Sequence, residues 1–356
     1  MIRQILACTL LACSVCTPAT SETVQLDTAS SNSQSALEEA LVVGEQPGPG
    51  LWKISRGEHV LWILGTYSPL PKRMTWRYSA VEAHIAASQE LLTPGTVRPD
   101  IDVGFFQAIA LFPSMLKAGN IPDGATLQDI LPADVYAKWQ VLQRKYMPHN
   151  SVERMRPPFA AASLGNNAFI KSGLERDAGV PDTIKKLARK HKLKLVALPH
   201  QKVEIKIGGG RSILKKYSQS SIAGIECLTK KIDQLESDLD TLRERANAWA
   251  TGDVGTLRRL HDRKLAPDCV SELINTPLSG GFEKGTAMRD AFQMFRKDLL
   301  EASQEQSRRW LEATESALAR NRSTFAVMEI DSLLSPDGYL KRMRDRGYDV
   351  DEPDSH

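Results

Sequence analysis

Cysteine is scarce. Five residues in 356 cannot build a disulfide scaffold, and three of them (Cys8, Cys13, Cys16) crowd into the first sixteen positions. Beyond residue 20 there is no C-x-x-C pair and no Cys/His spacing of a zinc site. Charge of either sign is not in excess: the formal net charge is +3 and charged residues make up 25% of the chain. That balance excludes both a strong nucleic-acid field and a disordered polyelectrolyte. Aromatic residues are only 6%, and a single cationic-aromatic run, "KRMTWR" at 72–77, is too little for a base-stacking platform. No apolar run reaches the ~20 residues needed to span a bilayer. Two catalytic signatures are also missing, the G-x-S-x-G nucleophile elbow and the G-x-x-x-x-G-K-[ST] phosphate loop. "GGGRSILKKY" at 208–217 has the glycines of the latter without its spacing and reads as a connector.

What is present begins with "MIRQILACTLLACSVCTPAT". Arg3 precedes an apolar stretch over 5–16, and small residues follow, so residues 1–20 are expected to be a signal peptide. The destination is then the periplasm or the exterior. A lipid anchor at Cys13 is the alternative, and only that would bring the chain to a membrane. Residues 21–49, rich in Ser, Thr and Gly and closing on "GEQPGPG", read as a flexible linker, with order starting at Leu51. In an oxidising compartment the two remaining thiols, Cys227 and Cys269, invite one disulfide; two unpaired buried thiols are the alternative.

From residue 50 strands alternate with helices. "LWKIS" and "VLWILG" flank "RGEH" and predict a hairpin. Val81–Leu92, 131–146 (with Pro132 in its first turn) and a segment from the Pro157–Pro158 pair read as helices. "KKLARKHKLK" at 185–194 reads as a solvated helix end leading into a strand. Leu228, Ile232, Leu235, Leu239, Leu242, Ala246 and Trp249 recur in steps of four and three. That seam fits either a coiled coil or a long helix packed on its own domain. "TFAVMEID" at 324–331 is a strand, Ser335 and Pro336 fit the start of a helix, and "YDV" a last strand. The expected fold is α/β (α+β): a central mixed sheet flanked by helices, with a largely helical segment around 210–310.

The order "LWKISRGEHVLWILGTYS", "AVEAHIAASQELL", "GVPDTIKKLARKHKLKLVAL", "ANAWATGDVGTLRRL", "FAVMEIDSLLSPDGYLKRMRDRGYDV" resembles the TraB/GumN family over most of residues 51–351. That family is related to the metal-dependent Tiki proteases and to the erythromycin-esterase-like and ChaN-like fold group. The resemblance implies one domain over residues 50–352 and a metal site at the strand ends. The site would be built from two Gly-x-x-His motifs with acidic and polar residues between them.

Residue by residue, the pattern is substituted. Gly65 matches the first glycine, but its histidine position is Ser68. The second motif falls on "EIDS", so Glu329 stands for the glycine and Ser332 for the histidine. The acidic positions fall on Thr93 or Pro94 and on Pro199, and "EQSRRW" at 305–310 departs from the usual Arg-Asn pair. Hydroxyls are poor ligands for divalent metals, so no metal or other cofactor is expected.

Three readings follow. The first is a catalytically degenerate relative whose cleft, at Gly65, Ser68, Glu329, Asp331 and Ser332, binds a peptide, a saccharide or an envelope protein. The second is a hydrolase with a rebuilt site, for which Ser68, His200 and Asp331 form a conceivable triad. The third is an interaction protein acting through the 228–249 seam.

Overall fold

The computed structural model describes residues 41, 44–72, 74–100, 112–114, 117–149, 152–176, 178–204, 215, 217–219, 222–269, 271 and 287–353. In chain order its main elements begin with β1 (Gly44–Gln46), β2 (Leu51–Arg56), β3 (His59–Thr66), β4 (Leu70–Pro71) and β5 (Met74–Trp76). Next come α1 (Ser79–Ala86), β6 (Glu90–Thr93), β7 (Val97–Asp100), α2 (Ala133–Tyr146) and α3 (Pro157–Lys171). Then follow β8 (Leu174–Glu175), α4 (Val180–Lys190), β9 (Lys194–Ala197), β10 (Gln201–Glu204), α5 (Ile225–Thr251) and α6 (Val254–His261). The chain closes with α7 (Ala287–Arg320), β11 (Ser323–Glu329), α8 (Ile330–Leu334), α9 (Tyr339–Asp345) and β12 (Asp349–Asp351). The expected leader, residues 21–40 of the expected linker, and residues 208–214 of the Gly-rich stretch lie outside the described residues.

Six strands form one mixed sheet in the order β12-β2-β3-β11-β6-β9, flanked by helices. The hairpin β2–β3 turns at Gly57, whose φ of +61° suits glycine. From β3 onward the sheet is parallel. β11 pairs with β3 from Ser323↔Val60 to Glu329↔Thr66 and with β6 on its other side, and β6 pairs with β9. Strands covered on both faces should be apolar without alternation, and Leu61, Ile63, Leu64 and Phe325 to Met328 are all buried. Because β3 and β11 run parallel and end in register, the residues that follow them emerge side by side. That geometry places the site.

Helix α5 joins two hydrophobic clusters. Leu228, Ile232, Leu235 and Leu239 pack with Trp139 of α2 and Leu164 of α3. Ala246 and Trp249 belong to the cluster built on the sheet, with Leu242 packed at its border. The heptad-like seam is therefore largely occupied by the chain's own elements. The interaction reading and the coiled-coil reading are corrected on this point. Gly252, at φ +78°, ends the helix by donating its amide to Ala248 and Trp249 carbonyls.

Other departures have local causes. Order starts before Leu51: β1 pairs parallel with β5, and the Gly48 amide donates to Ala250 O at 2.9 Å, so residues 44–49 of the expected linker are part of the fold. Strand β11 ends at Glu329, two residues early. Ile330, Leu333 and Leu334 find burial by coiling at once into α8. Ser335 therefore closes α8, donating its amide to Asp331 O, and α9 is entered instead at Gly338. Pro132 sits just ahead of α2 as its cap residue. Among the described residues no helix is long and apolar enough to cross a membrane.

Cys227 and Cys269 form a disulfide across a separation of 42 residues, with their Cα atoms 5.7 Å apart. It fastens the segment after α6 to the first turn of α5. In the chain-entropy model a loop of this length contributes about 4 kcal/mol. Guanidinium denaturation of the oxidised protein and of a Cys227→Ser/Cys269→Ser variant should differ by up to that amount, through the midpoint.

Candidate functional site

The C-terminal edge of a parallel sheet is where side chains from consecutive strands converge, and here the exits of β3 and β11 open on a cleft of about 280 Å³. Thr66, Tyr67 and Ser68 line it from β3, Glu329 and Asp331 from β11 and α8, and Arg176 from the stretch before α4. The strand ends are locked together, since Thr66 Oγ1 donates to Met328 O at 3.1 Å.

Gly65 fits without any demand on φ. A Cβ added there would lie 2.8 Å from the Trp52 ring and 3.0 Å from Ile330 Cγ1. Its carbonyl accepts a hydrogen bond from Trp249 Nε1 at 2.7 Å, and Trp249 is fully buried. The indole of Trp249 meets Trp76 edge-on, with centroids 6.1 Å apart. The glycine is thus pinned by packing on one side and by an indole on the other.

Ser68 is exposed, and its Oγ donates to Arg176 O at 2.8 Å. It therefore holds the two rims of the cleft together, with its one proton engaged. Asp331, in the first turn of α8, lies 3.3 Å from His261 Nδ1 at the end of α6. Arg245 caps α6 by donating through Nη2 to the carbonyls of Leu260, His261 and Arg263. Tyr67 stands near that guanidinium, and its Oη is buried without a hydrogen-bond partner among the described residues. Burial pushes the Tyr67 phenol up to about 12, against the opposing pull of Arg245.

The expected site residues are only partly assembled. Ser68, Glu329 and Asp331 converge on the cleft, and Gly65 lies buried just behind it in β3. Ser332 is exposed on α8 and does not line the cleft, so the two serines do not face each other. His200 is elsewhere: its Nδ1 accepts from the Thr96 amide at 3.0 Å and lies 2.8 Å from Thr96 Oγ1, at the bend where β6 and β9 continue into β7 and β10. The Ser68–His200–Asp331 triad is not brought together. The imidazole that meets Asp331 is His261, from "RRLHD", a residue with no local sequence signal because only the packing of α6 on α8 delivers it.

The positions of the remaining family ligands are closed over. Gly95, just after Pro94, packs so tightly that a Cβ would sit 2.3 Å from Pro199 O and 2.6 Å from Gln306 Nε2. Gln306 is buried and accepts from Gln201 Nε2 at 3.2 Å. A neutral amide, two prolines and a glycine thus fill the exits of β6 and β9. Among the described residues no three His, Cys, Asp or Glu side chains are grouped to hold a metal ion. The cleft itself offers two carboxylates and a hydroxyl, opposite an arginine. This donor set does not fit the two-histidine metal site that the family pattern implies.

Gly65→Ala should cost about 1–3 kcal/mol by overpacking against Trp52 and Ile330, read as a lowered denaturation midpoint. A second expectation concerns pH. A tyrosine in the unfolded chain ionises near 10. Between about pH 10 and 12 the folded state keeps a proton on Tyr67 that the unfolded state has lost, so stability falls as pH rises. Tyr67→Phe should remove part of that fall, measured by denaturant midpoints at about pH 9 and 11.

No curated protein and no solved structure matches this chain. Its sequence does match the TraB/PrgY/gumN family over residues 50–352, and the chain belongs to that family.

Proposed function

We propose that this protein is an exported member of the family that has given up metal-dependent hydrolysis and uses the cleft at the β3 and β11 exits to bind a peptide carrying a cationic group. The observation that carries the reading is the make-up of that cleft. Ser68 stands at the first histidine position with its proton given to Arg176 O, while Glu329 and Asp331 line an open hollow of about 280 Å³. Two carboxylates attract an ammonium or guanidinium group, and Arg176 on the rim donates to a main-chain carbonyl or carboxylate. Binding of this kind needs no perturbed acid and no bound metal. Export is supported by the expected leader and by the Cys227–Cys269 bridge, since structural disulfides persist in oxidising compartments.

A hydrolase reading has one observation in its favour, the approach of His261 to Asp331. A carboxylate that orients an imidazole is half of a general-base system. Among the described residues no hydroxyl bonds to this imidazole, however, and the proton of Ser68 is committed elsewhere. Loss of a reproducible peptidase or esterase activity in His261→Gln would favour the hydrolase.

The deciding experiment combines metal analysis, a casein-peptidase assay with and without chelator, and titration with short lysine-containing peptides. The expected outcome is less than stoichiometric metal, no chelator-sensitive cleavage, and saturable binding that Glu329→Gln and Asp331→Asn each weaken by about tenfold. Stoichiometric zinc or manganese together with chelator-sensitive cleavage would overturn the proposal.

A further inference from the structure

Arg176 belongs to two hollows. Besides the cleft, it lines a second space of about 310 Å³ between α3, α5 and the segment leading to Cys269. α3 and α5 run alongside each other in the same direction: Gly224 meets Pro158 at their starts, and Arg243 Nε reaches Ser172 O at their ends. From Leu242 to Lys231 the α5 wall of this space covers about 16 Å at 1.5 Å per residue. Its lining is largely apolar, with Phe169, Leu235, Leu239, Leu242 and Leu265, and the small residues of α3 leave it open. A Cβ added to Gly165 would meet nothing within 4 Å.

The charged groups are unevenly committed. Lys231 donates to Ala266 O at 3.1 Å and lies 3.9 Å from Asp238, which itself accepts from the Ala266 amide. These contacts hold the 263–269 wall in place together with the disulfide. Arg176 is different. Its guanidinium stacks on the Phe169 ring, 4.0 Å from the centroid, and among the described residues it forms no ion pair or hydrogen bond. A guanidinium held over an aromatic face by its carbon still has N–H groups to donate, and such a fork matches a carboxylate.

We infer that this second hollow is a binding site for an aliphatic carboxylate, with the carboxylate on Arg176 and the apolar body laid between α3 and α5 beside Phe169 and Leu242. The volume is at the lower end of the range for ligand sites, roughly 300–1,000 Å³, which suits a medium-length chain or one branched side chain. A medium-chain fatty acid and a peptide ending in leucine share this chemistry. The site shares Arg176 with the cleft, so a carboxylate seated here and the carbonyl or carboxylate of a peptide in the cleft compete for one guanidinium.

Calorimetric titration of the full folded protein tests the inference, with decanoate and N-acetyl-glycyl-leucine as probes and decanol as the uncharged control. At least one carboxylate should bind saturably at one site, and decanol at least about tenfold more weakly. Decanoate binding alone points to a lipid source, and dipeptide binding to a peptide source. Gly165→Phe fills the hollow from a position with open space and replaces a helix-interior glycine, so its melting temperature should not fall, while binding should be lost. Arg176→Gln should weaken binding at least about tenfold, and Glu329→Gln should leave it unchanged. The inference is overturned if neither carboxylate binds, if decanol binds equally well, or if a folded Gly165→Phe binds like the unsubstituted protein. A change of binding of about tenfold in either direction in Glu329→Gln would also overturn it, by placing the ligand beside the cleft carboxylates.

Discussion

The hydrogen bond from Trp249 to the Gly65 carbonyl joins the two parts of the molecule that most need joining. Gly65 is the penultimate residue of β3, where the sheet stops and the cleft begins, and Trp249 is near the last turn of the 27-residue helix α5. A buried indole N–H without an acceptor would cost about 1–3 kcal/mol. The pair therefore fixes the axial position of α5 against the sheet. From that anchor the helix carries Arg245 to Tyr67 and to the end of α6, then Leu242 and Leu235 along α3, and finally Cys227 to its bridge. Displacing Trp249 would shift each of these in the same sense. The helix serves the site as a ruler.

Among the described residues the cleft does not present the two histidines that the family resemblance implies, and its walls are held by contacts that involve no metal. Gly65 is retained by lack of space, between Trp52 and Ile330. Ser68 ties two rims. Asp331 lies against His261, whose helix end is capped by Arg245. On the far side of the edge, Gln306, Pro94 and Pro199 close the space over β6 and β9 with neutral groups. The opening that remains sits over β3 and β11 alone, and its character is amphoteric.

Much of this was legible in the sequence because it depends on local chemistry. Period-two patterning around "RGEH" gave the hairpin, the apolar run "TFAVME" gave β11, and the two cysteines beyond residue 20 pointed to the disulfide. The misreadings share a cause: each is decided by a tertiary contact. Strand β11 stops at Glu329 because the pocket beside Gly65 takes Ile330, which no propensity reveals. On sequence alone the seam of α5 fits either a partner helix or the chain's own elements, and the cover supplied by α2 and α3 bears out the latter. His200 was favoured over His261 because it follows a strand, but the bend after β9 turns it toward Thr96, while a surface-looking "RRLHD" is folded back onto α8.

A glycine at the head of a catalytic motif invites the inference that it serves the chemistry, as a turn former or as room for a ligand. Here that inference fails on geometry. Gly65 lies within a regular strand, outside the left-handed region; the atoms that crowd it are an indole and an isoleucine. The residue needs to be small whether or not a metal is bound a few residues away. The residues at 68 and 332 are under no comparable constraint of space, since both side chains are exposed, Ser68 just after β3 and Ser332 within α8. A scaffold of this kind can lose its ligands one at a time while its motif glycine and its cleft persist, because the two are held by different forces.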